Sequence, residues 1–99
     1  MNTVKKGIRN EKRCEDALKE LGYTTWRTTR GMYKELDMFG LFDVVGVHPD
    51  AWHIDFIQVK SNKCDRKVKE RIRDFRVPHS CRKFVWIWVD RKGWIKERL

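Results

Sequence analysis

Two runs of the sequence are apolar on both faces of an extended chain, and they constrain the fold more than any other feature. Residues 41–47 read Leu-Phe-Asp-Val-Val-Gly-Val, and residues 83–90 read Lys-Phe-Val-Trp-Ile-Trp-Val-Asp. Successive side chains of a strand point to opposite faces, so both faces of these two strands must be covered. The sequence therefore predicts an α/β fold in which interior strands lie between packed helices.

Local signals place the other elements around these runs. Gly22 ends a long helix, the turn His48-Pro49-Asp50 starts a hairpin, and Pro78 follows a second helix. A strand, a helix and a strand between residues 52 and 90 predict a right-handed crossover that joins parallel strands. The predicted order is αβββαββ: a helix over about 3–21, strands over 23–30, 41–47 and 52–60, a helix over 65–76, and strands over 83–90 and 94–97.

The length and charge indicate what kind of partner to expect. A chain of 99 residues is expected to form a single domain, 1–99, because so short a chain buries only about 60–65% of its unfolded surface. Its net charge is +9, from 23 Lys+Arg against 14 Asp+Glu, which favours a polyanionic partner. The second helix has only a narrow apolar stripe, Val68, Ile72 and Phe75. This stripe predicts docking on the chain's own core, so nucleic acid is preferred to a membrane surface as the partner.

Several other site classes and locations are disfavoured. The three cysteines, Cys14, Cys64 and Cys81, contain no Cys-x-x-Cys pair and are expected to be reduced packing residues. The three histidines lack the spacing of a helical metal pair. No apolar run has the length of a secretory signal or a membrane span, so a cytoplasmic, intracellular protein with no membrane association is expected.

Polar residues within two strands predicted to be buried form the main functional candidate. Asp43 stands between Phe42 and Val44, and the period of two places Gln58 and Lys60 on one face of the next strand. If these strands form a hairpin, the carboxylate, the amide and the ammonium converge at one end of it. Oxygen ligands hold Mg²⁺ and a lysine neutralises developing negative charge, a combination suited to phosphodiester hydrolysis. The alternative is a structural ion pair between Asp43 and Lys60 with Gln58 exposed.

The first helix adds two acids to this picture. At about 100° per residue its apolar arc also contains Glu11 and Glu15, which are expected to face inward. In the alternative, the stripe is imperfect and both glutamates reach solvent at its edge. The apolar members of the arc are Val4, Ile8, Leu18 and Leu21.

On these residues the sequence resembles the PD-(D/E)XK nuclease superfamily, and within it the archaeal Holliday junction resolvase branch. The resemblance covers residues 6–60 in order, and the element plan extends it to about residue 90. Its motifs are Lys6-Gly7, Glu11, Gly22-Tyr23, Phe42-Asp43-Val44-Val45-Gly46 and Gln58-Val59-Lys60.

The resemblance implies a restriction-endonuclease-like αβββαβ core and a role for each motif residue. Asp43 would be the principal metal ligand, Gln58 and the main-chain carbonyl of Val59 would be further ligands, Glu11 would support the metal site, and Lys60 would be the catalytic lysine. The metal would be Mg²⁺, with Mn²⁺ able to substitute. Gln58 departs from the pattern, because Glu or Asp is commoner there and a neutral amide binds a hard cation more weakly. Phe42 replaces the proline of the superfamily's name, as it does in many members.

Basic residues outside this centre are candidates for phosphate contacts. Three of them, Arg27, Arg30 and Lys34, precede the active strands, where resolvase-like proteins place basic groups against DNA. Three more, Lys67, Arg71 and Arg73, lie on the second helix. In the alternative, both sets are ordinary solvated charges.

The leading interpretation is a Mg²⁺-dependent endonuclease that cuts branched or structured DNA in recombination or repair. A homodimer is expected, because paired symmetric cuts need two active sites and the chain has one. One alternative is a small restriction-like or phage-type nuclease with another DNA specificity. The other is a non-catalytic nucleic-acid-binding module with the same fold.

Overall fold

In the computed structural model, which describes residues 3–28 and 37–99, one mixed sheet lies between two helices. The predicted order αβββαββ is confirmed over these residues. The helices are α1 (Thr3–Glu20) and α2 (Arg66–Asp74), and the strands are β1 (Thr24–Arg27), β2 (Val44–Val47), β3 (Ile54–Ser61), β4 (Cys81–Val89) and β5 (Gly93–Arg98).

The strands lie side by side in the order of the sequence, with β3 in the middle. The β2–β3 hairpin is antiparallel, as predicted, and the crossover through α2 makes β3 and β4 parallel. The outer strands β1 and β5 pair antiparallel with their neighbours. The two runs that are apolar on both faces supply β2 and β4, which flank β3 and are interior strands as expected.

The strand β2 begins later than predicted, at Val44 instead of residue 41. Residues before it belong to a tight turn, in which Phe42 forms a bridge with Met38. An apolar run of this kind also serves a buried turn, so hydrophobicity alone did not define where the strand begins.

Opposite faces of the sheet pack against different helices. On the α1 side, Ile57 and Val59 belong to one apolar cluster, whereas on the α2 side Phe56 packs against another. Gln58 and Lys60 alternate with Ile57 and Val59 and share a face of β3 with Phe56, so their side chains point toward the α2 side. The first cluster comprises Cys14, Leu18, Val44, Ile57, Val59 and Trp86, and the second is built on Leu41, Phe42 and Ile72 with Met38, Phe56, Val68, Phe75 and Leu99 packed against it.

The buried face of α1 differs from the predicted apolar arc. Leu18 is buried as expected, but Ile8 and Leu21 are exposed. The side chain of Val4 lies outside the described part of the structure. Polar residues instead occupy the face toward the sheet, which consists of Asn10, Glu11, Cys14 and Leu18. Hydrogen bonds to Asn10 make this polar burial tolerable, and hydrophobic periodicity carries no information about such bonds.

The cysteines are free thiols, as predicted. Burial raises the pKa of the Cys14 thiol, which suits a packing residue and not a nucleophile. Within residues 3–28 and 37–99, neither helix has the length and apolar character needed to span a bilayer.

Candidate active site

Asp43 and Gln58 lie close together at one end of the β2–β3 hairpin. Val44 pairs with Ile57, and Asp43 N also donates a hydrogen bond to the Ile57 carbonyl over 2.9 Å, so Asp43 and Val44 both lie opposite Ile57, as in a β-bulge. The Asp43 Oδ2 atom accepts hydrogen bonds from Val59 N at 2.9 Å and from Gln58 Nε2 at 3.1 Å. Both side chains are buried. The hairpin thus brings these two predicted site residues together.

The amide of Gln58 acts as a hydrogen-bond donor in this arrangement. Its nitrogen faces Asp43, so ligation of a cation through Oε1 would require a half-turn of the amide group. A glutamate at this position would place a second carboxylate against Asp43. The neutral amide therefore removes one negative charge from the site and gives Asp43 a donor in its place.

Val59 and Lys60 extend the site along β3. The N–H and C=O groups of one strand residue point to the same side, so the Val59 carbonyl is directed to the side of β3 on which Asp43 lies. Lys60 follows Gln58 by two residues on the same face and is half-buried. The predicted grouping of Asp43, Gln58, Val59 and Lys60 is therefore compatible with the register.

A turn before β2 carries an acidic residue that the sequence analysis missed. Phe39 and Gly40 have φ values of 56° and 69°, and Leu41 N donates to the Met38 carbonyl over 2.9 Å. Two consecutive residues with positive φ fold the chain back on itself, and Met38 then bridges Phe42. The residues just outside this bridge are Asp37 and Asp43.

Asp37 and Asp43 are neighbours beside this bridge, and the Asp37 carboxyl acts on that of Asp43. Burial, the contact with Asp37 and the charge of Glu11 together raise the pKa of Asp43 to about 8, and the N–H of Val59 opposes the shift. Two carboxylates in contact need a proton or a cation between them. The site is therefore short of positive charge.

This donor set fits a hard divalent cation, which prefers carboxylate and carbonyl oxygens. Asp37 and Asp43 supply two carboxylates, and Gln58 and the Val59 carbonyl supply neutral oxygens. No group of three or more Asp, Glu, His or Cys side chains is arranged to hold a metal within residues 3–28 and 37–99. A cation here would therefore depend on the two aspartates and on the neutral oxygens.

The two inward glutamates of α1 have different surroundings. Glu11 is buried, at 4% exposure, and its charge acts on Asp43. Glu15 Oε2 accepts a hydrogen bond from Thr25 Oγ1 at 2.7 Å, and Glu15 Oε1 lies 3.4 Å from Arg27 Nε. Glu15 thus pairs with Arg27, and Glu11 is the one of the two acids whose charge acts on Asp43.

A contact that the sequence analysis did not predict joins α1 to β3 beside these residues. Asn10 is fully buried, and its Nδ2 donates to Ser61 Oγ over 2.6 Å. Arg13 Nη1 donates to Asn10 Oδ1 over 2.7 Å. The contact ties the residue before Glu11 to the residue after Lys60, and it fixes the helix and the strand relative to each other.

The predicted phosphate-contacting residues have different surroundings. Arg27 is paired with Glu15, and Arg30 and Lys34 lie outside the described residues. On α2, Lys67 is exposed, Arg71 Nη2 donates to the Gly40 carbonyl over 3.4 Å, and Arg73 Nη2 lies 3.6 Å from Glu97 Oε1. Arg71 therefore places an exposed guanidinium beside the turn that carries Asp37.

Comparison with known proteins identifies the fold. No family model matches the chain, and no curated protein matches it. The chain is similar to the solved structure of Hjc from Archaeoglobus fulgidus, a Holliday junction resolvase from an archaeal hyperthermophile. The TM-score is 0.67 at 18% sequence identity, over 94% of this chain and 72% of that chain. The predicted α/β core with a mixed sheet flanked by helices is confirmed.

Proposed function

We propose that this chain is a divalent-metal-dependent endonuclease that hydrolyses phosphodiester bonds of branched DNA. One observation carries the proposal: a buried Asp43 is held by Gln58 and by the Val59 N–H at the end of the β2–β3 hairpin. Lys60 follows on the same face of β3. The fold is similar to that of a solved Holliday junction resolvase, and three of the residues to which the PD-(D/E)XK resemblance gives roles, Asp43, Gln58 and Val59, lie in contact within this chain.

In this proposal the acidic and amide oxygens hold Mg²⁺ or Mn²⁺. Asp43 is the principal ligand, and the Gln58 side chain and the Val59 carbonyl are the other ligands that the protein provides. Glu11 supports the site from α1. A bound divalent cation supplies Lewis-acid stabilisation of negative charge on the phosphate. Lys60 orients the attacking water by hydrogen bonding and neutralises charge that develops on the phosphate.

The surface charge supports a nucleic-acid substrate. The chain carries a net charge of +9, and the basic residues of α2 include Arg71, whose guanidinium contacts the turn next to Asp43. Contacts with the phosphate backbone supply affinity and register without reading sequence. Such a charge suits recognition of DNA shape, as in a branched junction.

A cleavage assay tests this proposal. The protein is incubated with Mg²⁺ or Mn²⁺ and with four-way junction, duplex or single-stranded DNA of the same sequence. We expect metal-dependent cuts, fastest on the junction. Asp43→Ala and Lys60→Ala should each abolish cleavage while DNA binding, measured by gel shift, remains, because the wider basic surface carries the affinity.

Asp50→Asn is a matched control, since Asp50 is an exposed acid in the β2–β3 turn and its loss should leave cleavage unchanged. Metal-dependent cleavage that persists in Asp43→Ala would overturn the assignment of the site. Faster cleavage of plain duplex than of the junction would instead indicate a restriction-like or phage-type nuclease.

The donor role of Gln58 favours a second candidate, a non-catalytic nucleic-acid-binding module. With its Nε2 directed at Asp43, Gln58 holds the carboxylate without any cation. Binding of junction DNA by the wild-type protein, with no cleavage in either metal, would support this candidate.

A further inference from the structure

We propose that Asp37 supplies the second acidic ligand of the metal site, in place of the carboxylate that Gln58 lacks. The inference rests on the proposed nuclease function and deepens it. It concerns a residue outside the motifs of the superfamily, brought to the site by the turn before β2.

The backbone of the turn places Asp37 opposite Asp43. Met38 and Phe42 form an antiparallel bridge, with Met38 N donating to the Phe42 carbonyl over 2.8 Å. The next pair outward from this bridge is Asp37 and Asp43, and the Cβ atoms of residues paired in this way lie about 4.5–5.5 Å apart. The bridge therefore brings the two carboxyl groups within reach of each other, which agrees with the effect of Asp37 on the pKa of Asp43.

The turn does not need the Asp37 carboxylate for its own closure. Gly40 N donates to the main-chain carbonyl of Asp37 over 3.0 Å, so the backbone closes the turn. The ring of Phe39 lies 5.1 Å from that of Phe75 and 6.1 Å from that of Phe56, which anchors the turn on the α2 side. The side chain of Asp37 is therefore available for another role.

Charge explains why a second acid is needed at this place. A divalent cation held by Asp43 and the amide of Gln58 would have one carboxylate ligand from the hairpin, and with Asp37 it would have two carboxylate ligands. Hard cations bind more tightly as the number of carboxylate ligands rises. The contact between two aspartates at a buried position is unfavourable by itself and becomes favourable once a cation lies between them.

Binding of Mn²⁺ alone tests the proposal without reference to catalysis. Calorimetry and the electron paramagnetic resonance of free Mn²⁺ measure the affinity of the wild-type protein, Asp37→Asn, Gln58→Glu, the double variant Asp37→Asn/Gln58→Glu, and Asp50→Asn as a charge-matched control. We expect Asp37→Asn to weaken Mn²⁺ binding at least about tenfold, the scale on which support for a metal site is lost. The double variant should recover most of that loss, because Gln58→Glu returns the missing charge.

Thermal melting of the metal-free variants shows whether Asp37→Asn folds. Recovery of Mn²⁺ affinity in the double variant is a second check that the Asp37→Asn substitution does not disrupt the fold. Mn²⁺ binding by Asp43→Asn is measured in the same way. If Asp37→Asn binds Mn²⁺ as tightly as Asp50→Asn does, whereas Asp43→Asn does not bind it, the proposed role of Asp37 is wrong and the nuclease proposal remains. Slower cleavage in Asp37→Asn with unchanged Mn²⁺ affinity would also overturn the proposed role of Asp37 as a metal ligand. If the wild-type protein neither binds Mn²⁺ nor cleaves DNA, the nuclease proposal itself fails.

Discussion

Glu11 and Glu15 lie one turn apart on α1, and their different partners predict different effects of the same substitution. Glu11 is buried and its charge reaches Asp43, whereas Glu15 is engaged by Thr25 and Arg27. Glu11→Gln should therefore lower the cleavage rate by about 10- to 100-fold, as loss of a supporting group around a metal does. Single-turnover cleavage of junction DNA measures this effect.

Glu15→Gln is the matched control for that measurement. It removes the ion pair with Arg27 and keeps an acceptor for the Thr25 hydroxyl, so the rate should change little and the free energy of unfolding should fall by no more than about 1 kcal/mol. The opposite pattern, with a rate that follows Glu15 and ignores Glu11, would show that the role given to Glu11 is wrong.

The raised pKa of Asp43 predicts how the stability of the metal-free protein depends on pH. Burial and the contact with Asp37 raise this pKa from 3.8 to about 8, so between these values the folded state binds more protons than the unfolded state. The contribution of Asp43 to stability is then fully present below pH 4 and is lost as the pH rises toward 8. Relative to Asp43→Asn, the wild-type protein should lose more than about 1.4 kcal/mol of unfolding free energy over this window, the equivalent of one pKa unit.

Urea unfolding of both proteins in a chelating buffer, at a series of pH values, measures the difference. Subtracting the Asp43→Asn curve removes the contribution of titrating groups that do not interact with Asp43. A constant difference across the window would show that Asp43 is ionised throughout in the folded protein.

At the level of residues, the sequence predicted the hairpin partners of the site but not Asp37. Asp43, Gln58 and Lys60 were found because strand alternation and a hairpin fix which residues meet. Asp37 depends on a turn built on Phe39-Gly40, and Phe39 is a poor match to the Asn and Gly residues that signal positive φ. Arg30 and Lys34 lie outside the described residues and remain predictions.

A buried lysine of β4 holds the C-terminal end of α2. Lys83 Nζ donates to the carbonyls of Ile72, Arg73 and Phe75 at 2.6, 3.0 and 2.7 Å. The last carbonyls of a helix have no partner within it, and a cation at this end also interacts favourably with the helix dipole. Lys83 therefore fixes the helix that carries the basic side chains next to the site.

Replacement of Lys83 by methionine tests this role. The variant keeps the apolar stem and removes the charged donor from three carbonyls, so the free energy of unfolding should fall by about 2–3 kcal/mol. Urea unfolding measures the loss, and Lys92→Met, a change at an exposed turn, should have almost no effect. Equal stabilities of the two variants would mean that water satisfies the end of α2 without Lys83.

The elements were predictable to different degrees for physical reasons. Strands with two apolar faces and helices with clear stops were found in the predicted order, since burial on both faces and glycine stops act locally, although β2 begins at Val44 and not at residue 41. The face of α1 that packs on the sheet was not predicted correctly, because Asn10 is buried there through its hydrogen bond to Ser61, which lies far away in sequence. Polar residues buried through such long-range hydrogen bonds leave no periodic signal in the sequence.

At the scale of the whole molecule, a high net positive charge accompanies the candidate centre found in residues 3–28 and 37–99. The charge of +9 favours binding along the phosphate backbone, but it does not determine how many strands are cut. A four-way junction is symmetric, and its resolution needs two cuts at matching positions. A homodimer with two-fold symmetry supplies two centres in the required relation, so we expect this chain to act as a dimer.

Mixing active and inactive subunits tests this expectation directly. On a supercoiled plasmid with an extruded cruciform, paired cuts by a dimer give linear DNA, whereas one cut gives a nicked circle. If wild-type protein is exchanged with an excess of Asp43→Asn subunits, most active centres lie in mixed dimers, and nicked circles should replace linear product. Subunits that act alone would only be diluted by the inactive variant, so the ratio of linear to nicked product would stay constant at equal extents of reaction. Asp50→Asn subunits, added in the same excess, should keep the linear product, because every dimer then retains two working centres.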